Sequence, residues 1–374
     1  MKIARMRRKI GTSTISRPAA WLAEGIMKRI VIALIIAALS ASTFAADPPP
    51  DPRGGAGLGQ DKVTVDPATE AIIRGALRWL ASRQSGNGSW STGDGERHEV
   101  AMTGYVLMSF MTAGQLPEEG EYGTNVAKGV SFLLNSVKPD GFIQYGTTNM
   151  YGHGVASIAL AEAYGQTRDA RIKPKLEAAI KLIINCQNAE GGWRYAPRMA
   201  DADISVTVLQ VVALRAAKNS GIDVPQATID RAVKYVRTCY HDQTGGFTYQ
   251  PRNNQPGFAR TAAAIYSLQV CGQYEDPRVR KGSDYLFKYH KQDRQWFTYG
   301  HFYAAPAQYM IGGDTWARWY GEIKDQLLKI VRKQGELAYW EPQFDSRGVS
   351  PVYCTAVYTM ILAMPYHYLP LYQR

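Results

Sequence analysis

The chain has 374 residues, 45% of them hydrophobic and 20% charged, and a formal net charge of +11. That apolar share is enough for a sizeable core and excludes a disordered or low-complexity chain. The charge is unevenly spread: Lys2, Arg5, Arg7, Arg8, Lys9, Arg17, Lys28 and Arg29 against Glu24 give residues 1–45 a net +7, leaving +4 for the rest, so nucleic-acid binding loses its electrostatic footprint.

The first element is a targeting segment. Met27-Lys28-Arg29 precedes an apolar run from Ile30 to Leu39, followed by Ser40-Ala41-Ser42-Thr43-Phe44-Ala45. A basic start, a short apolar stretch and a small final residue describe a secretory signal peptide cut after Ala45. Its ten apolar residues are too few to span a bilayer, so no transmembrane anchor is expected after cleavage. Residues 1–26 read as an over-long basic region, or as sequence ahead of a true start at Met27. The expected location is the periplasm or the exterior. Residues 46–66, rich in Pro and Gly, read as a disordered spacer, and 67–374 as the folded domain.

That domain repeats. Arg74-Gly75, Trp79-Leu80 and Gln84 lead through a glycine turn to Gly88-Ser89-Trp90, and the same order recurs toward Phe142, Trp193, Phe247, Trp296 and Trp340. The steps between these aromatics are 52, 51, 54, 49 and 44 residues, which points to six stacked units. Each unit reads as two helices joined by the glycine turn. The first helices carry charge on one face (Lys173, Lys175, Glu177 and Lys181; Lys324 to Gln334) and should face solvent. The second helices, such as Val155–Tyr164, Val206–Ala217, Thr261–Val270 and Tyr353–Met364, are apolar nearly all round and should be buried. Six amphipathic helices around six apolar ones predict an all-α fold, an (α/α)6 toroid of six helix hairpins. Gly114, Gly165, Gly272 and Gly312 read as the stops of second helices. Counting back eleven from each aligns Thr103, Gly154, Thr261 and His301, with Thr207 in the third unit. The turn aromatics read mostly as packing staples.

Cys186 and Cys239 end equivalent helices 53 residues apart, on neighbours whose axes lie about 8–10 Å apart, beyond the reach of a disulfide. Free thiols are expected for these two and for Cys271 and Cys354. No Cys/His spacing suits zinc and no P-loop or Gly-x-Ser-x-Gly elbow occurs, so neither metal nor cofactor is expected.

The run from Arg74 to Trp90 fits every defined position of the QW motif, and the chain resembles the squalene cyclase and prenyltransferase repeat family over residues 67–374. Its length is most similar to that of the short, secreted, single-toroid bacterial members. The resemblance implies the terpenoid-cyclase type of toroid with an apolar central cavity, and it implies a fold more strongly than an activity. In that family the middle Asp of an Asp-x-Asp-Asp-Thr stretch is the proton donor. Asp201-Ala202-Asp203-Ile204-Ser205 stands in a comparable place, which makes Asp203 the implied acid, with Asp201 and Glu99 as lesser candidates. Ile204 replaces the following Asp, and the second α-domain of a full squalene cyclase is absent. The alternative is that Asp201 or Asp203 caps a helix.

Two further constellations stand out. Tyr151-Gly152-His153 and Tyr299-Gly300-His301 begin second helices of units on opposite sides of a six-membered ring. His153 and His301 could pair as acid and base, with Tyr151 and Tyr299 binding ligand; the alternative is that they serve as buried hydrogen-bonding groups. Tyr195-Ala196-Pro197-Arg198 and Tyr249-Gln250-Pro251-Arg252 follow their aromatic marks on adjacent units. Arg198 and Arg252, with Tyr195 and Tyr249, would suit an anion or a glycan, or serve as surface salt-bridging groups. No Asp-Asp-x-x-Asp run and no thioester sequence occurs. Three expectations follow: a cavity holding an isoprenoid or other lipid, a non-catalytic scaffold for an envelope protein partner, or a glycan-active toroid using Glu99, Asp203, His153 and His301.

Overall fold

Helices with one charged face can end at solvent, whereas helices apolar all round must be surrounded. The computed structural model, which describes residues 63–93, 98–199, 201–292, 295–342 and 349–372, sorts the chain by that rule. The outer helices are α1 (Pro67–Ser82), α3 (Gly123–Ser136), α5 (Ile172–Asn185), α7 (Gln226–Thr238), α9 (Pro277–Tyr289) and α11 (Gly313–Ile330). The inner helices are α2 (Glu99–Thr112), α4 (Met150–Thr167), α6 (Ile204–Asn219), α8 (Phe258–Val270), α10 (Phe297–Ile311) and α12 (Pro351–Ala363). Each inner helix packs on the next, and α12 packs on α2, so the six hairpins close into an (α/α)6 toroid. Two short antiparallel hairpins, β1 (Tyr240–His241) with β2 (Gly246–Phe247) and β3 (Arg332–Gln334) with β4 (Leu337–Tyr339), sit in the turns of the fourth and sixth units.

One clamp fastens unit to unit. Gly88, Gly141 and Gly191 turn with φ of 90°, 91° and 98°, in the left-handed region. A Cβ at these positions would lie 2.5 Å from Lys128 O, 2.3 Å from Ala178 O and 2.1 Å from Arg231 O, each a carbonyl of the next outer helix. Only glycine permits that approach. Beside it, Gln84 Nε2 donates to Gly88 O and Asn125 O, both at 2.9 Å, and Gln187 Nε2 donates to Gly191 O and Thr228 O, both at 2.9 Å. The turn aromatics lock the hairpin itself: the indole N–H groups of Trp90, Trp193 and Trp340 donate to Leu80 O, Ile183 O and Leu327 O at 2.7, 2.7 and 2.8 Å. Their backbone N–H groups donate to Thr103, Thr207 and Thr355 on the inner helices, as that of Phe247 does to Thr261.

Several expectations are revised. Gly165 does not stop its helix, because α4 continues to Thr167 and the left-handed residue is Arg168, with φ of 55°. The outer helix of the sixth unit ends at Ile330, and residues 332–334 are the strand β3. Trp296 is not a staple: it is 45% exposed. Residues 63–66, read as the end of a spacer, belong to the folded body. Val63 and Val65 pack against the core, and Asp66 caps α1 while its carboxylate meets Lys324 Nζ at 2.8 Å. Lys324 holds that carboxyl down at about 2. The signal segment over 1–45 and the spacer up to residue 62 lie outside the described residues. All four cysteines are free thiols.

After α12 the chain crosses the end of the ring where the inner helices finish. Leu369, Leu371 and Tyr372 are buried, and 370–372 pack on α6 and α10. Leu371 N–H donates to the buried carboxyl of Glu162 on α4, which desolvation pushes up to about 8. This tail plugs one end of the toroid.

Gly191→Ala tests the clamp. A Cβ 2.1 Å from Arg231 O at a left-handed residue should cost about 2–4 kcal/mol in urea unfolding. At Gly86, where a Cβ would meet nothing within 4 Å, the same change should cost at most about 1 kcal/mol.

Candidate functional site

At the unplugged end, the first turns of all six inner helices surround a cavity of about 620 Å³. One position per helix, two residues before the Thr or His that receives the turn, faces it: Ala101, Tyr151, Ser205, Ala259, Tyr299 and Tyr353. Tyrosines on α4, α10 and α12 narrow the cavity, and the small residues on the adjacent α6 and α8 leave room between them. Tyr105 closes the floor, its Oη 2.7 Å from Tyr151 Oη and its ring 4.9 Å from that of Tyr353. Burial pushes the Tyr151 phenol up to about 12 and raises those of Tyr105, Tyr299 and Tyr249 as well. These hydroxyls therefore stay protonated at neutral pH and keep their donor hydrogens.

The rim is polar and aromatic. Tyr195 (39% exposed), Tyr249 and Trp296 line it with Asn149, Asn253 and Gln255. Arg260, in the first turn of α8, is the one permanently charged side chain among the described lining residues, none of which is a carboxylate. The sequence reading did not single out Arg260, Tyr105, Tyr353 or the amides. The missing signal was the register, since the lining position appears only once the six inner helices are aligned on the residue that receives the turn.

The implied acid has other partners. Asp203 is buried and caps α6: its Oδ1 accepts from Val206 N–H at 2.9 Å and from Ser205 Oγ at 2.5 Å. Its Oδ2 lies 3.1 Å from Arg194 Nε, while Asp201, at the surface, meets Arg194 Nη1 at 2.8 Å. The same guanidinium lies over the rings of Tyr195 and Tyr249, 5.7 and 5.8 Å from their centroids. The two aspartates thus hold an arginine that props two rim tyrosines, and neither lines the cavity. Glu99, the first residue of α2, is buried and does not line it either.

The histidines stand at the position of the turn-receiving threonines, and of the two only His153 is bonded to its turn. His153 Nδ1 accepts from Ile143 N–H at 3.1 Å and Nε2–H donates to Ala179 O at 3.2 Å. It replaces the threonines of neighbouring units, so the equivalent of Thr103 is His153 and not Gly154. Counting from Gly165, which lies inside α4, had moved the register by one. His301 Nδ1–H donates to Phe297 O at 2.9 Å, and its ring packs between Phe258, Phe297 and Trp319. Burial lowers the two imidazoles to about 4 and about 3. Both are aimed into the layer between inner and outer helices, so they do not face each other across the mouth. Arg198 and Arg252 are exposed and do not line the cavity, whereas Tyr151, Tyr195, Tyr249 and Tyr299 do. Among the described residues no cluster of His, Cys, Asp or Glu could hold a metal ion.

Closed rings of six α-hairpins with a cavity at the inner-helix N-termini form the class of α/α toroids. This chain belongs to the prenyltransferase alpha-alpha toroid domain family, whose profile matches residues 60–229 and 210–304. Solved structures share the fold at low identity. A sugar epimerase from a ruminal bacterium aligns with a TM-score of 0.61 at 12% identity, over 79% of this chain and 97% of its own. A glycoside hydrolase family 76 mannosidase from Bacteroides thetaiotaomicron aligns at 0.57 and 11%, over 80% and 98%. A type II terpene cyclase from Scytonema, in complex with merosterolic acid A, aligns at 0.55 and 14%, over 80% and 98%. No curated protein matches by sequence.

Asp203→Ala should lower stability by about 2 kcal/mol in urea unfolding, through loss of the cap and of the Arg194 pair. Unchanged stability with lost activity would instead make Asp203 a reacting group. His153 has its own signature. Its folded pKa of about 4 lies below the ordinary 6.5, so the unfolded chain binds the proton first. Stability is therefore lost as pH falls from about 6.5 to about 4, by about 3 kcal/mol at most. Glu162, raised to about 8 from 4.5, acts in the opposite sense as pH rises, so the histidine is read as a difference. His153→Thr should flatten the acid limb of stability against pH relative to the native chain, and an unchanged limb would contradict the assignment.

Proposed function

We propose that this chain is an exported carbohydrate-binding toroid that holds a segment of a glycan in the cavity at its inner-helix N-termini. The observation that carries this reading is the lining: phenols kept protonated, amides from Asn149, Asn253 and Gln255, and aromatic faces at Tyr195, Tyr249 and Trp296. Rings offer flat apolar platforms, while amides and phenols offer directed hydrogen bonds, the combination that a sugar with apolar faces and hydroxyl edges needs. A hydrocarbon would desolvate the same polar groups without replacing their water, at about 1–3 kcal/mol for each group left unpartnered. Glycoside hydrolysis uses a pair of carboxylates flanking the bond, and the described wall presents none, so the reading is binding and not cleavage. The basic and apolar run before Ala45 supports export, and several structures of the same fold are sugar epimerases and mannosidases.

An isoprenoid ligand is the second reading, favoured by Ala101, Met102, Ala259 and Val349 in the lining and by a terpene cyclase of the same fold solved with geranylgeranyl dihydroxybenzoate. An envelope protein as partner is the third.

A glycan array followed by calorimetry separates them. Trp296→Ala should weaken the best glycan by about tenfold, roughly 1.4 kcal/mol, with little change in melting temperature because the indole is half in solvent. Organic extraction of the native protein that yields one equivalent of an isoprenoid, with an empty array, would replace the carbohydrate reading.

A further inference from the structure

We propose that the cavity selects anionic sugars, with a carboxylate or sulfate of the ligand seated on Arg260; this rests on the carbohydrate reading above. Arg260 lies next to Ala259 on α8, beside Ser205 of the neighbouring α6, where the small lining residues leave space. Its Nη1 donates to Gln255 O at 2.6 Å, which orients the guanidinium without neutralising it. Among the described residues no carboxylate pairs with it, in contrast to Arg194, whose charge is taken up by Asp201 and Asp203. Gly257 makes room for the group: a Cβ there would lie 3.3 Å from Arg260 Nε and 3.4 Å from Cζ. That glycine is also the N-cap of α8 and gives the helix no side-chain cap, so its first turn adds positive potential that no aspartate offsets.

The cation therefore stands on a concave wall, with an anion the counterpart that the described surroundings do not supply. A guanidinium presents paired N–H donors that match the two oxygens of a carboxylate or sulfate. Trp296 is the N-cap of α10, the inner helix packed against α8, so an acidic sugar on Arg260 has an exposed indole on the adjoining wall for its ring. Arg198 and Arg252, the arginines that the sequence pattern favoured for an anion, are outside the cavity, and Arg260 takes that role.

Titration calorimetry of the full mature chain tests this with three probe sets: galacturonate oligosaccharides, the same oligosaccharides fully methyl-esterified, and sulfated galactan oligosaccharides beside their desulfated forms. The expected result is binding of the uronate or the sulfated set about tenfold tighter than its neutral counterpart, weakening as salt is raised. Which set binds tells carboxylate from sulfate. Arg260→Gln should remove that preference, so that the charged and neutral forms bind alike, while Arg260→Lys should keep part of it. Equal affinity for charged and neutral forms overturns the anion site and leaves the carbohydrate reading standing. An acid preference that survives Arg260→Gln in a chain of unchanged melting temperature also overturns it. If no oligosaccharide of any set or of the array binds, both readings fall. The wild-type comparison of acid against ester needs no variant, so it decides even if Arg260→Gln destabilises the fold.

Discussion

The toroid depends on a contact between a glycine and a carbonyl. At Gly88, Gly141 and Gly191 the backbone of one unit presses against a carbonyl of the next outer helix so closely that any side chain would collide. Two of those contacts are flanked by a glutamine whose amide hydrogen-bonds its own turn and the following helix at once. A contact of this kind fixes both the distance and the angle between units. Made at three successive junctions, it sets the angle between the first four units, and the packing of the inner helices leads α12 back to α2 and closes the ring. An inner helix that is apolar all round would by itself pack against almost any partner, so the clamps add the specificity that apolar packing lacks.

Closure then makes the site. With the inner helices parallel in the ring, their N-termini gather at one end and their C-termini at the other, where the tail around Leu371 and Tyr372 seals the hole. One equivalent position on every inner helix is left facing the axis, joined by Tyr105 and Arg260. These six positions carry no packing duty comparable to that of the turn-receiving residues, so Ala101, Tyr151, Ser205, Ala259, Tyr299 and Tyr353 can differ in size and shape an asymmetric cavity. The scaffold is repetitive and the lining is not, so the shape of the cavity is set by positions that the repeat leaves free to vary.

The residues that looked most chemical serve that scaffold. Asp203 satisfies the amides of α6 and, with Asp201, holds Arg194 beneath Tyr195 and Tyr249. His153 and His301 stand where other units have threonine, and burial keeps them neutral. The sequence pattern drew attention to them because polar residues in apolar helices are uncommon. It had no means of telling a group aimed at the axis from one aimed at the outer layer, since a rotation of about 100° per residue separates the two. Conversely, Trp296 shared the spacing of the structural tryptophans, and only its exposure distinguishes it.

From the sequence alone came the period, the alternation of charged and apolar helices, the glycine turns and therefore the six-hairpin toroid, because each rests on local periodicity and short-range backbone geometry. The four tyrosines at 151, 195, 249 and 299 were singled out from the sequence, and all four line the cavity. The tertiary structure alone decided which face of each inner helix meets the axis, which end is plugged, and that Arg260 is the lining cation while Arg198 and Arg252 stay in solvent. Those facts depend on the rotation of helices about their own axes and on contacts between units far apart in the chain, which no window of sequence contains.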